Sequence, residues 1–312
     1  MKKNLVIYES YYGTAKRTAN ILSLILSNSK VYDIKYAPEK IEGYDNLILV
    51  FAFHGYSTAQ NIKKYLKEKK DNIKEKFITI IGVGLSKNDL QSYCKSIYEI
   101  IGKTSDITEF IQGELRVNIL TKKDKEVLEQ FLEKHNIKLM DMGVFKIEDA
   151  CERAREYKDI INKPFIQLEE TKLKKCIDKF IVEHNTCTLA TGVGSLIRAT
   201  PIEYVYMEEC FYFLTEGGLK FYGILQNHNV SICIYENYTT MSNIKGLQVM
   251  GKANIIDTNS EEYANVMRYK KINIESMNSL NINMIKVIPS KFEFLNSNFK
   301  LNSLDIKQIL EF

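Results

Sequence analysis

Over the first half of the chain, short apolar runs take turns with segments of helical period. Leu5-Val6-Ile7-Tyr8 is followed by a polar loop and then by Ala15, Thr18, Ala19, Leu22 and Leu26, which share one helical face. Residues 31–34 and the continuous apolar run 47–53 come next, before a helix carrying Ile62, Tyr65 and Leu66. Residues 77–81 precede a helix presenting Cys94, Ile97, Tyr98 and Ile101, and residues 107–118 precede one with Val127, Leu128, Phe131 and Leu132. A last helix sets Ile147, Ala150, Cys151, Ala154 and Ile161 on one side. Runs that are apolar at every position suit strands covered on both faces. Each parallel crossover needs a helix to bring the chain back, so the pattern predicts an α/β doubly wound parallel sheet, whose strand order periodicity leaves open.

The helical pattern stops around Asn162-Lys163-Pro164. One more helix follows (Leu173, Ile177, Phe180, Ile181), and then closely spaced strands over 186–191, 197–207, 211–215, 230–235, 247–256 and 284–295. Many strands with few helices predict a small, mainly β barrel. The expected domains are therefore 1–164 and 165–312, in keeping with a 312-residue chain that exceeds what one core usually supports.

Composition changes this picture little. At 45% hydrophobic and 26% charged the chain is globular. A net charge of +4, with lysines scattered among glutamates, does not call for nucleic acid. No apolar run approaches the roughly 18 residues of a membrane span, and Met1-Lys2-Lys3-Asn4 leads into an apolar run too short for a signal-peptide core, so a cytoplasmic protein is expected. The six cysteines form no Cys-x-x-Cys pair and read as free, buried thiols of a reducing compartment.

Between the first strand and the first helix lies Glu9-Ser10-Tyr11-Tyr12-Gly13-Thr14-Ala15. Backbone N–H groups gather at such a helix start, and the dipole there favours a phosphate; ordinary capping by Ser10 or Thr14 is the alternative. In open parallel sheets ligands bind beyond the carboxyl ends of the strands. Two further loops sit there, Phe53-His54-Gly55-Tyr56-Ser57-Thr58 and Gly82-Val83-Gly84-Leu85-Ser86. Their aromatic side chains could stack on a flat ligand, and their glycines would let backbone approach its polar edge. Together these residues resemble the flavodoxin family over roughly residues 1–160, in particular the branch near the menaquinone-linked protoporphyrinogen oxidases, which Gln112-Gly113-Glu114-Leu115-Arg116 also matches. The resemblance implies strand order 2-1-3-4-5, FMN phosphate at Ser10, Tyr12, Gly13 and Thr14, and the flavin ring beside His54, Gly55 and Tyr56. Ala15 stands where many flavodoxins place a threonine, and Lys16 and Arg17 add positive charge unusual at this place.

In the second half, Ser195 to Pro201, Phe213 to Lys220, Gln226-Asn227 and Leu247 to Ala253 resemble, in order and spacing, the pyridoxamine-phosphate-oxidase-like FMN-binding split barrels over roughly residues 170–295. The resemblance implies that Arg198 and Lys220 hold the flavin phosphate, that Thr200 and Thr215 bond ring or ribityl chain, and that Gln248 reaches FMN across a homodimer interface. A dianion is well met by fixed cationic donors. Nothing matches the residues that grip pyridoxamine phosphate in that family. The histidines, His54, His135, His184 and His228, are too dispersed for a local zinc site, so no metal is expected.

The expected function is an FMN-dependent oxidoreductase or electron-transfer flavoprotein, carrying one or two FMN per chain and serving a small-molecule redox substrate or a protein electron donor. A Gly-x-Gly-x-x-Gly nicotinamide fingerprint is absent. His54 is the candidate for tuning a flavin, with the catalytic residues otherwise open. Action on, or binding of, a tetrapyrrole such as haem is a second reading, because some split barrels bind haem through a histidine. A non-catalytic flavin-binding module is a third.

Overall fold

The computed structural model describes residues 2–55, 57–134, 136–161, 163–164, 166–272 and 282–312. The chain divides into two compact units, Met1–Lys163 and Pro164–Phe312. Each is built around its own core.

In the first unit, β1 (Asn4–Glu9), α1 (Thr14–Leu26), β2 (Ser29–Asp33), β3 (Asn46–Ala52), α2 (Gln60–Glu68), the short α3 (Lys70–Ile73), β4 (Phe77–Gly84), α4 (Leu90–Ile101), β5 (Ile107–Gln112), α5 (Lys122–Glu133) and α6 (Ile147–Ile161) follow in turn. The five strands are all parallel, in the order β2-β1-β3-β4-β5. On one face Leu5, Ile7, Leu47, Leu49, Ile78 and Ile80 pack against α2 and α4 through Ile62, Leu66, Cys94 and Ile97. On the other, Val6, Ile48, Val50 and Ile81 meet α1 and α6 through Ala15, Ala19, Leu22, Ala150 and Ala154. Every apolar position expected for α1 is buried.

β5 is shorter than its apolar run because Gly113 passes tightly by Gly84, donating its N–H to the Gly84 carbonyl at 2.7 Å, and Leu115 then leaves the sheet to bridge Met142. α5 differs more. Of its four expected core residues only Leu132 is buried, while Val127 and Phe131 face solvent. On α6, Ile147 is exposed and Tyr157 joins the buried stripe.

The second unit opens with α7 (Glu170–Val182), then β6 (Thr186–Val193), β7 (Leu196–Glu203), β8 (Val205–Met207), β9 (Cys210–Thr215), α8 (Leu219–Gln226), β10 (Asn229–Tyr235), β11 (Lys245–Ile256), α9 (Glu261–Tyr269), β12 (Asn283–Asn296) and β13 (Lys307–Glu311). The order β7-β6-β10-β11-β12-β9-β8 is antiparallel throughout. The 14-residue β12 lies along β11, and its other edge is shared: its first residues pair with β9 and its last with β13, which curls the sheet into a half-barrel. α7 closes the core with Leu173, Ile177, Phe180 and Ile181, all at most 1% exposed. Each such burial is worth on the order of 1.5–3 kcal/mol. The single strand expected over 197–207 is two, broken at Tyr204, whose hydroxyl turns inward and donates to the Ile181 carbonyl at 2.6 Å.

All six cysteines are free. Cys94 and Cys187 are buried, but Cys176 is exposed on α7, contrary to the expectation of buried thiols. Among the described residues no helix is long and apolar enough to cross a membrane.

Candidate functional site

In the first unit the turn between β1 and α1 is set by Gly13 at φ 96°, a left-handed conformation that glycine adopts without strain. Its N–H donates to the Ser10 hydroxyl at 3.1 Å, so Ser10 does stabilise the turn. Gly13 itself offers no capping side chain to α1, and Thr14 is buried at the helix start. The opening N–H groups of α1 thus face the loop with the positive end of the helix dipole, as an anion site requires.

What surrounds this turn is a closed set of side-chain contacts. Tyr11 stacks on His54, centroids 3.9 Å apart and planes 11° from parallel. The Tyr11 hydroxyl donates to the Ser57 carbonyl at 3.0 Å and lies 3.4 Å from Glu9 Oε1. His54 Nε2 is 3.5 Å from Asp124 Oδ2 in the first turn of α5, and the Tyr12 hydroxyl donates to the same carboxylate oxygen. Hydrogen bonding from Tyr12, then from Thr121 and His54, holds the Asp124 carboxyl below its usual range against the opposing effect of burial. Glu9, 4% exposed, accepts from Ile62 N at 3.1 Å and Asn61 Nδ2 at 2.9 Å, capping α2 in place of Ala59, which sits at φ 56° and supplies no side-chain cap.

Ser10, Tyr12, Gly13, Thr14, His54 and Gly55 are therefore placed in two neighbouring loops, with Gly55 at φ 52°. Tyr56 lies outside the described residues. Tyr11 and Asp124 are additions to the expected set. Arg17, expected to add positive charge, is paired with Glu114 at 3.0 Å while its guanidinium lies 4.5 Å above the Phe145 ring. Phe53 does not offer its face to a ligand. Its ring lies on Gly82 and Gly84, where an added Cβ would come within 2.6 and 2.5 Å of it, and it tilts against Tyr93 and Phe110. The β4 glycines make room for a core phenylalanine, not for a flavin edge.

The second unit gathers a different chemistry. Arg198 and Thr200 are alternate residues of β7, so they share a face, and their cross-strand partners on β6 are Thr191 and Leu189. α8 sits down on β6 through Gly223, where a Cβ would lie 3.2 Å from Thr191. Gly217 (φ 143°) and Gly218 (φ 102°) form the turn into α8, which only glycine takes easily, and Lys220 follows on its first turn. The Lys220 side chain is buried and folds back so that Nζ donates to the Gly217 carbonyl. Burial, and next the charge of Arg198, lower its pKa, with Glu216 opposing.

Neither Arg198 nor Lys220 makes an ion pair among the described residues. Two like charges close enough to perturb one another, one of them buried, cost free energy until an anion joins them. On the same face of β7 as Arg198, Thr200 Oγ1 is buried with no hydrogen-bond partner among the described residues. An orphaned hydroxyl, two unmatched cations and a diglycine helix start fit a phosphorylated ligand. Thr215 ends β9 just before Glu216. Gln248 is exposed on β11 opposite Cys233 and Glu293, on the sheet face away from the buried Leu247 and Val249. It therefore lies on the sheet face opposite its own chain's core.

The remaining histidines hold backbone carbonyls: His184 Nδ1 that of Phe180 at 2.7 Å, and His228 Nδ1 that of Ala253 at 3.0 Å. His135 lies outside the described residues.

Two family models match the chain. Residues 5–138 match a flavodoxin domain, and residues 173–296 match a pyridoxamine 5'-phosphate oxidase model. The chain thus joins a flavodoxin-like domain to a pyridoxamine-phosphate-oxidase-like domain. No curated protein matches it. Among solved structures it is similar to a putative pyridoxamine 5'-phosphate oxidase from Listeria innocua, at 18% identity over 40% of this chain and 98% of that one, with TM-score 0.34. It is also similar to HutZ, the haem storage protein of Vibrio cholerae, at 20% identity over 38% of this chain and 90% of that one, with TM-score 0.34. A third likeness is ChuZ of Campylobacter jejuni, at 13% identity over 55% and 73% of the two chains, with TM-score 0.37.

Proposed function

We propose that this chain, a flavodoxin-like domain joined to a pyridoxamine-phosphate-oxidase-like domain, is an FMN-dependent oxidoreductase that holds its flavin in the second unit. The pairing of two unmatched cations, Arg198 and Lys220, beside the unpartnered Thr200 hydroxyl carries this reading. Arg198 meets phosphate oxygens with its planar fork, and Lys220 supplies a second, buried charge. The diglycine turn brings the first N–H groups of α8 to the same place. The Thr200 hydroxyl serves the polar ribityl chain or ring, and Thr215, at the end of β9 just before Glu216, is assigned the same role. Gln248, on the opposite sheet face, serves the flavin of a second copy in a homodimer.

Bound there, FMN supplies hydride and electron transfer; the protein supplies binding, orientation and electrostatics. The first unit is the weaker flavin site, because Asp124 ties Tyr12 and His54 together across the phosphate turn and sets a negative charge where a dianion would come. His54 remains the side chain positioned to tune a flavin there.

The test is titration of purified protein with FMN, followed by the quenching of flavin fluorescence. Lys220→Met keeps the buried stem and removes the charge, and Arg198→Gln removes the fork. Each is expected to weaken binding at least tenfold, the loss of one charge-assisted hydrogen bond. A wild-type protein that binds no FMN, or variants that bind as tightly as wild type, would overturn the reading.

A further inference from the structure

At the far end of α8 from Lys220 the structure has a cleft of about 600 Å³. It is lined by the start of β10, the outward face of β11 and the middle of β12, where a register shift at Met250/Gly251 kinks the ladder opposite Pro289. Its volume is within the range of small-molecule sites. Among the described residues no carboxylate lines it. Its single fixed cation, Lys252, makes no ion pair among the described residues. The other polar walls are Gln226, Asn227, His228, Asn229, Asn254 and Ser290, and Ile288 with Pro289 forms an apolar side.

The tautomer of His228 follows from its neighbour. A carbonyl can only accept, so the Nδ1 that lies 3.0 Å from the Ala253 oxygen carries the proton. In the neutral ring this leaves Nε2 as a lone-pair acceptor available to a ligand. The cleft thus offers one full positive charge, one nitrogen acceptor and the neutral amide donor of Asn254, against an apolar wall, while the Ser290 hydroxyl already donates to the Met250 carbonyl at 3.2 Å. A phosphate dianion is better served at Arg198 and Lys220, where two cations and a helix start converge. One lysine among neutral donors matches a monoanion.

We propose that this cleft is a binding site for a small organic acid, its carboxylate on Lys252, a hydrogen-bond donor of the ligand on His228 Nε2, and its hydrocarbon part on Ile288 and Pro289. Lys252 and Asn254 lie further along the outward face of β11 that also carries Gln248, so the cleft adjoins the homodimer face proposed above without including any residue assigned to FMN.

The experiment is isothermal titration of the purified full chain with three probes: mandelate, which carries a carboxylate, a hydroxyl and an apolar ring; benzoate, which lacks the hydroxyl; and benzylamine, which reverses the charge. Mandelate is expected to bind tightest, benzoate severalfold more weakly, and benzylamine not at all. Lys252→Met should weaken mandelate at least tenfold. His228→Phe should bring mandelate down to the affinity of benzoate. Both positions are exposed, so neither substitution disturbs the core, and circular dichroism confirms the fold of each variant. Absence of carboxylate binding to the wild-type protein, binding of benzylamine as tight as that of benzoate, or mandelate binding unchanged in Lys252→Met would overturn the proposal.

Discussion

Replacing Asp124 by alanine should make the first unit less stable and yet a better flavin binder. The carboxylate accepts a hydrogen bond from Tyr12 and pairs with His54 at 3.5 Å, its side chain 27% exposed. A hydrogen bond to a charged acceptor contributes about 1.5–3 kcal/mol, and a partly exposed ion pair about 0.2–1 kcal/mol. Solvent screening favours the lower ends, so Asp124→Ala should cost about 2 kcal/mol. For a unit of this size that lowers Tm by roughly 4–8 °C. If the same contacts must open for FMN phosphate to reach the turn at Gly13, their loss tightens FMN binding by about the same free energy, on the order of 30-fold. The assay is FMN fluorescence quenching in a Lys220→Met background, which weakens the second unit's site, with thermal denaturation alongside. A variant that loses the expected stability but binds FMN no better would refute the idea that Asp124 guards the turn.

Other consequences follow from particular side chains. Glu9→Ala leaves the N–H of Ile62 and the amide of Asn61 without their acceptor at the start of α2, and should destabilise the first unit by about 2–4 kcal/mol in urea denaturation, far more than Glu9→Gln, which preserves an acceptor. Glu262 is held below the usual carboxylate range chiefly by the Lys286 ammonium at 2.6 Å, with the Tyr212 hydroxyl assisting. A depressed folded pKa stabilises above the unfolded value of about 4.3 and ceases to do so as pH falls through the folded value. Wild type should therefore exceed Glu262→Gln in stability at pH 7, and the gap should narrow as pH falls below about 4.3, measured by thermal denaturation across that range.

The fold was largely legible because burial dominates it. The faces of α1 and α7 follow from helical period alone, since each packs one stripe on a sheet, and the continuous runs of β1, β3 and β4 follow from being covered on both sides. Period overstates the buried face of α5, because Val127 and Phe131 are apolar without being covered, and period says nothing about what lies opposite. α8 escaped notice because two glycines open it and a third, Gly223, sits inside it, residues that usually argue against a helix and here permit the turn and the close approach to Thr191. The candidate site was legible where it depends on chain-local loops, as at Ser10 to Thr14 and Glu216 to Lys220. Asp124 could not be found that way: it meets Tyr12 across 112 residues of sequence, and nothing in the first turn of a lysine-rich helix marks one aspartate as special. Nothing in the sequence separates Tyr11 from Tyr12, because only the packing decides which ring covers His54.

A phosphate held at Arg198 and Lys220 is tested most directly by comparing FMN with riboflavin, since the two differ by that phosphate alone. Two charge-assisted contacts predict that the protein binds FMN at least 100-fold more tightly than riboflavin, and that Lys220→Met removes at least tenfold of this preference. Equal affinity for the two flavins, or a preference that Lys220→Met leaves untouched, would contradict the account.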